Sequence, residues 1–385
     1  MGETLNWQND AESLVPRHHR HPLHPNVRRS PYFAATERAG AVEYMVYNHM
    51  YMPMDYGRRP EEDYRALVER VSLWDVGAER QTELLGPDAL SMADYLCARD
   101  LSGMAVGECR YSVVCDDAGS VMAECIVLRP FEDVVWISHG DVDLTLWAKA
   151  ISLHTRRRVA VSEPDVAPLQ VQGPRSVETV AAVAGPAVLD LAPYRCLVQP
   201  VLGTDIVISR TGWSGGPGYE LYPLTSGRAL ELWDVLVAAG KPHGLLVSAP
   251  NLIRACERAI TDTHYAVNCN MNPFEMGAGW SVDLQAGPFV GKEVVSRAAQ
   301  APPARKTVGL VATSDGQLPR METFWPVSSD LGDVGVVRWA VRSIALERPI
   351  AIALVDSHLE QGQHVIINHP AGELVAEVTG LPFVR

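Results

Sequence analysis

Short alternating runs dominate this chain, and the longer 3.6-residue pattern of an amphipathic helix interrupts them only at intervals. From Glu61 the apolar side chains Tyr64, Leu67, Val68 and Val71 fall at i, i+3, i+4 and i+7, which predicts one buried helix face. Leu84 and Leu85 with Gly86, Pro87 and Asp88 predict a strand closed by a turn. Strands are predicted over Arg110 to Cys115, Val121 to Leu128 and Val134 to Ser138, and the turn Asp116 to Gly119 makes the first two a hairpin. Leu230, Trp233 and Val237 mark a second amphipathic helix that ends at Gly240. Helices and strands mix without the strict βαβ rhythm of a doubly wound sheet, so the fold class is α+β.

Two breaks divide the chain. Residues 1–35 read as a flexible tail in which His18, His19, His21 and His24 stand among arginines and prolines, a pattern of solvated residues more than of a metal site. Residues 296–306, with two prolines among small and charged residues, read as a linker. Between them, 36–295 forms the main body as two interleaved α+β subdomains. Beyond the linker, 307–385 carries strands at Val308 to Val311, Val334 to Val337, Ile350 to Val355, His364 to Asn368 and Glu373 to Val378, a small all-β domain.

A length of 385 residues calls for two or three packed units. The formal charge of −13 disfavours a nucleic acid or an anionic membrane surface as partner. No apolar stretch approaches the roughly 20 residues of a membrane span, and no secretory leader opens the chain, so a cytoplasmic location is expected. Seven cysteines, Cys97, Cys109, Cys115, Cys125, Cys196, Cys256 and Cys269, form no CxxC pair and lie mostly in apolar runs. Neither a disulfide framework nor a structural metal is expected.

The richest chemistry lies in Arg210 to Tyr222. A strand runs into a turn holding Gly212, Gly215, Gly216 and Gly218, and the next strand carries Glu220 between Tyr219 and Tyr222. A carboxylate can accept two parallel hydrogen bonds from an aminopyrimidine edge while an aromatic ring covers its face. Alone the pattern is also that of a plain hairpin. Five further motifs surround it in order: Leu73 to Val76, Leu84 to Ala89, Val171 to Pro174, Asn272 to Gly277 and Phe289 to Glu293. With Ser209 to Trp213 and Gly218 to Glu220, they make the chain resemble the aminomethyltransferase family, the tetrahydrofolate-binding T-proteins of the glycine cleavage system. Within the family the likeness leans to the demethylases that move a methyl group from dimethylsulfoniopropionate to tetrahydrofolate. It is carried by Val46 to Met50 with Pro53, Glu62 to Tyr64, Glu79 to Gln81, Cys97 to Ser102, Trp136 to Ser138, Pro250 to Ile253 and Leu381 to Val384.

The resemblance implies an α+β folate-binding body with a C-terminal small β-barrel, and tetrahydrofolate as the one-carbon carrier. It implies that Glu220 takes the pterin edge, that Trp213, Tyr111 and Trp280 lie beside it, and that Arg254 stands in for a family arginine whose own position holds Ala255. Where the family has a key aspartate in the strand after Gly119, this chain has Glu124, longer by one methylene or about 1.5 Å, and Glu124 is the catalytic candidate. A sulfonium donor needs no acid, because attack by N5 of the folate expels a neutral thioether, and aromatic faces suit such a cation. Tyr47, Tyr51, Trp213 and Tyr222 are candidates to face it, with Arg80 or Arg110 for a donor carboxylate. An ether or amine donor would instead need protonation or a prior cationic charge on the leaving atom, and Glu124, His49 and His139 qualify as the acid. The expected partner is thus a small-molecule methyl donor, and self-association is left open. The alternatives are a folate-dependent O- or N-demethylase, transfer of methylene or hydroxymethyl groups, and, behind them, a non-catalytic folate-binding protein. The iron–sulfur assembly relatives carry a cysteine motif whose counterpart here, Gly287 to Glu293, has none. The flavin-linked relatives carry a dinucleotide-binding domain that a 35-residue tail does not supply.

Overall fold

In the computed structural model, residues 23–260, 270–316, 318–330 and 332–384 are described; His18, His19, His21 and Cys269 lie outside them. Four sheets organise these residues. The central one orders its strands Cys196–Val201, Thr204–Ser209, Gly218–Pro223, Leu169–Gln172, Val71–Asp75 and Leu245–Val247, antiparallel except for the last pair. A second sheet orders Cys109–Cys115, Val121–Phe131, Val134–His139, Arg80–Leu85 and Ala160–Ser162. Its strands fall in the chain between Val71–Asp75 and Leu169–Gln172, so the two sheets interleave along the sequence. Arg28–Arg29, Met50–Asp55 and Glu43–Tyr47 form a small third sheet. Arg305–Ala312, Pro349–Asp356, Gly332–Arg342, Trp325–Ser329, His364–His369 and Gly372–Thr379 close into a barrel.

Side-chain period explains most of these elements. In Gly372–Thr379 burial alternates, and Leu374, Ala376 and Val378 enter the barrel core. The helix Pro60–Glu69 starts on a proline at its first position, has Glu61, Glu62 and Asp63 in its first turn, and buries Tyr64, Ala66 and Leu67. Val71, expected on the same helix face, opens the central strand, whose five residues are all buried. A strand covered on both sides has no polar alternation to reveal it. The helix Ala229–Gly240 buries Leu232, Trp233 and Leu236, while Leu230 is turned outward, one position off the expected stripe. Trp325–Ser329 was not foreseen, since a proline and two serines hide a strand.

Buried polar residues fasten the units together. Trp74 donates through Nε1 to Ser248 Oγ at 3.0 Å, and Asp75 accepts from Ser30 Oγ and from the Gly77 amide at 3.0 Å. Burial raises the Asp75 carboxyl to about 6, against those hydrogen bonds. Glu257, fully buried at the end of the helix Leu252–Glu257, accepts from Tyr64 OH and Ser343 Oγ, each at 2.6 Å. The amides of Ile344 and Ala345 also donate to it, each at 3.0 Å. One carboxylate thus joins the Pro60–Glu69 helix to a barrel loop. Glu257→Ala leaves two hydroxyls and two amides without an acceptor, and should lower stability by about 3 kcal/mol or more, read as a shift in the urea midpoint of the full chain.

Candidate folate and methyl-donor site

All four sheets contribute to one central cavity of about 890 Å³, a volume suited to a drug-sized or cofactor-sized ligand. Its polar wall belongs to the central sheet. Register sets Glu220 directly between Ser209 on one neighbouring strand and Gln170 on the other, and Tyr222 two residues on shares that face. Tyr219 and Leu221 point the other way, into the main core.

Glu220 is consequently held from several sides. Gln170 Nε2 donates to Oε1 at 2.7 Å; Tyr222 OH donates to Oε2 at 2.7 Å, and Thr211 and Ser209 donate to the same oxygen. Burial raises its carboxyl above the ordinary carboxylate range, and the four hydrogen bonds pull the other way. Tyr222 is fully buried and serves the carboxylate, not the cavity; Tyr219 sends its hydroxyl to the Val188 carbonyl at 3.1 Å. The expected pair of rings around Glu220 is therefore split between the two sheet faces.

The turn that delivers Glu220 is closed by Gln172. Its Oε1 accepts from Ser214 Oγ at 2.7 Å, while its Nε2 donates to the carbonyls of Thr211 and Tyr219, each at 3.4 Å. A Cβ at Gly212 or Gly218 would lie 2.2 or 2.1 Å from that carboxamide, so both positions require glycine.

Glu124 and Tyr111 line the cavity from the second sheet. Register pairs Val113 with Glu124 and Tyr111 with Ile126, so the two meet diagonally on one face, and Tyr111 OH donates to Glu124 Oε2 at 2.8 Å. Trp280 stacks on Tyr111 with ring centroids 5.0 Å apart and is 68% exposed, the posture of a ring at the cavity mouth. The Arg99 guanidinium lies 5.9 Å from the Trp280 ring centre. Trp213 lines the cavity and stacks on Trp339 of the barrel at 5.9 Å. Tyr47, Met45, Met52 and Met54 of the third sheet add an apolar, sulfur-rich side, and Met276, packed in another cluster, also lines the cavity.

The remaining sequence candidates divide by position. His139 lines the cavity but is buried, with Nδ1 on the Gly140 carbonyl at 2.8 Å and Nε2 on Thr82 Oγ1 at 3.2 Å. Desolvation lowers its ring to about 4. Arg254 lies off the cavity, 3.5 Å from Tyr64 OH and 3.6 Å from Glu257, and Ala255 beside it packs under Trp339. Arg80 faces Glu163 at 3.0 Å and Asp143 at 3.7 Å, and His49 reaches Asp143 at 3.4 Å, all outside the cavity. Arg110 bonds the Asp100 carbonyl at 2.8 Å and Glu108 at 3.2 Å. Tyr51 packs with Phe33 and Tyr44 and lines a separate cleft. Sequence reasoning passed over Glu79, Gln170, Tyr194, Arg258 and Lys306, which the fold brings to the lining. Gln170 was detectable only as a polar residue in an otherwise apolar strand, and Arg258 only by its three-residue offset from the family arginine's position.

His139 is a pH-silent residue in this setting. Because its folded value lies below the ordinary 6.5, its contribution to stability is complete above about 6.5 and is lost as pH falls toward 4. In histidine-labelled protein its ring resonances should hold their neutral positions from pH 7 down to about 5; a midpoint near 6.5 in folded protein would contradict this burial.

Residues 32–286 match the GCVT N-terminal domain, and 305–385 match the glycine cleavage T-protein C-terminal barrel domain. A dimethylsulfoniopropionate demethylase from Ruegeria pomeroyi is 33% identical over 347 residues, covering 90% of this chain and 94% of that one. An aminomethyltransferase from Thermotoga maritima is 29% identical, covering 93% and 98%. The crystal structure of the glycine cleavage system aminomethyltransferase T from Bartonella henselae superimposes with a TM-score of 0.83 at 20% identity, covering 93% of this chain and 98% of that one, and thus shares the fold. Among the described residues no helix is long and apolar enough to cross a membrane. The chain belongs to the glycine cleavage T-protein family of one-carbon transferases.

Proposed function

We propose that the protein transfers a methyl group from a small sulfonium, dimethylsulfoniopropionate being the expected one, to N5 of tetrahydrofolate, in the cytoplasm. The observation that carries this reading is Glu220, a buried carboxylate on the cavity wall whose rotamer is fixed by Gln170, Thr211, Ser209 and Tyr222. A carboxylate so held is preorganised to accept the N–H edge of a pterin, and its hydrogen-bonded frame spares the ligand the cost of ordering it. The volume and the mixture of aromatic, thioether and acceptor groups fit a folate together with a small donor.

N5 of the folate supplies the nucleophile. The C–S bond of the donor breaks as the N–C bond forms, the electron pair leaves on a neutral thioether, and the proton displaced from N5 must go to a base. Glu124, with Tyr111 OH on its Oε2, lines the same cavity from the second sheet and is the base we assign. Tyr47, Trp213 and the methionine side offer polarisable surfaces to the cationic sulfonium and its methyl groups. Arg258 or Lys306, the cations on the lining, takes the donor carboxylate in place of Arg80 or Arg110. His139 is neutral and bonded at both ring nitrogens, and His49 lies outside, so neither is poised as an acid for an ether. With Glu124 assigned as the base, none of the three acid candidates is left for an ether, which favours a donor already cationic.

Anaerobic incubation with tetrahydrofolate and dimethylsulfoniopropionate should yield 5-methyltetrahydrofolate and 3-(methylthio)propionate by mass spectrometry. Folate binding without either product would move the search to other methyl donors. Glu220→Ala should weaken tetrahydrofolate binding about 100-fold, as expected for a lost charge-assisted pair of hydrogen bonds, in protein kept folded below its thermal midpoint, which falls because Gln170, Thr211, Ser209 and Tyr222 lose their acceptor; unchanged affinity in the folded variant removes the pterin assignment. For Glu124→Ala the expected pattern is turnover down at least 100-fold with folate affinity within about threefold. Unchanged turnover would make Glu124 a bystander.

A further inference from the structure

Gln170 is 1% exposed and lines the cavity, and its side-chain oxygen has no hydrogen-bond partner. Of the buried side-chain atoms left unsatisfied among the described residues, Gln170 Oε1 is the one that belongs to the lining of this cavity. Buried polar atoms are nearly always bonded, and an orphan at a binding site marks where a ligand atom completes the pairing.

The direction of the carboxamide is dictated by its surroundings. Nε2 lies 2.7 Å from Glu220 Oε1 and 3.5 Å from both oxygens of Glu79. Turning the amide over would set a carbonyl oxygen against two carboxylates, a repulsion between acceptors with no donor between them. The two glutamates therefore fix the NH₂ group on their side and leave the carbonyl as an acceptor. Register reinforces this, because Gln170 and Glu220 are directly opposed in neighbouring strands, and Trp74 on the other neighbour backs the position.

We infer that Gln170 is a specificity-determining residue that accepts a hydrogen bond from the ring amino group of the pterin held on Glu220, so that the pair reads an amino-substituted edge rather than any flat heterocycle. This rests on the folate reading above and names a contact within it. A carboxylate satisfies N3–H and one hydrogen of the 2-amino group; the second amino hydrogen then needs its own acceptor, and the Gln170 carbonyl is an acceptor beside that carboxylate with nothing else to bind. A ring bearing an acceptor there, a carbonyl or an unprotonated ring nitrogen, would meet two acceptors and be refused.

The test compares tetrahydrofolate with 2-desaminotetrahydrofolate on wild type and Gln170→Met, by anaerobic equilibrium titration. Methionine keeps the length of the side chain but offers neither amide group. Wild type should bind tetrahydrofolate at least 100-fold more tightly than the desamino compound. In Gln170→Met, tetrahydrofolate should weaken about tenfold or more, and the desamino compound by no more than about threefold. Loss of the Nε2 donor to Glu220 acts on both ligands alike, so the difference isolates the carbonyl. Equal weakening of both would overturn the inference and leave Gln170 a support for Glu220. Should the methionine variant not fold, Gln170→Asn, which withdraws the carbonyl by one methylene, must show the same selective loss for the inference to stand. Failure of wild type to bind tetrahydrofolate at all would overturn the folate reading first and this with it.

Discussion

The carboxamide of Gln172 is the interaction on which the site depends. It lies inside the glycine turn, bonded to Ser214 on one side and to the carbonyls of Thr211 and Tyr219 on the other. Without a side chain in that space the turn would collapse or open, and the strand that follows would lose the register that sets Glu220 against Gln170 and Ser209. The neighbouring glycines are the complement of this one side chain: they are absent of Cβ because Gln172 already occupies the volume. Sequence motif, turn and cavity wall are thus a single mechanical unit, and Gln172, which holds it together, does not itself line the cavity.

The same economy governs how the barrel is attached. Glu257 collects donors from a helix of the body and from a loop of the barrel, and the stacked Trp213 and Trp339 span the same seam. A cavity built where four sheets converge stays in shape only if those sheets keep their mutual positions. Buried directional contacts supply what apolar packing alone leaves loose, since apolar packing tolerates sliding and a multiply bonded carboxylate does not.

Much of the fold was legible because its strands and helices carry ordinary periodicity, as in the hairpin of Cys109–Cys115 with Val121–Phe131. Legibility failed where burial on both faces erased the period, as at Val71–Asp75, and where polar residues interrupted a strand, as at Trp325–Ser329. At the site, Glu220, Glu124, Tyr111, Trp213, Trp280 and Tyr47 were nameable from motifs or the resemblance and His139 from its chemical type, and all line the cavity. Arg254, His49, Arg80 and Tyr222 were offered by the resemblance or its motifs, Arg110 and Tyr51 by chemical type, and neither says which way a side chain points. Each found a protein partner instead. Gln170 and Arg258 reach the lining through register and a helical offset, properties of the assembled sheet and helix that no local window contains.

The methionine side of the cavity carries a cost of its own. Met45, Met52, Met54 and Met276 give the pocket a soft, polarisable lining that adapts its shape readily. Thioethers are also the side chains most readily converted by peroxide to sulfoxides, each of which adds a polar oxygen and a stereocentre where the wall was apolar. The feature that makes the pocket accommodating therefore ties its shape to the oxidative state of its surroundings, and a repair reductase for methionine sulfoxide would act, in effect, as a custodian of the binding surface.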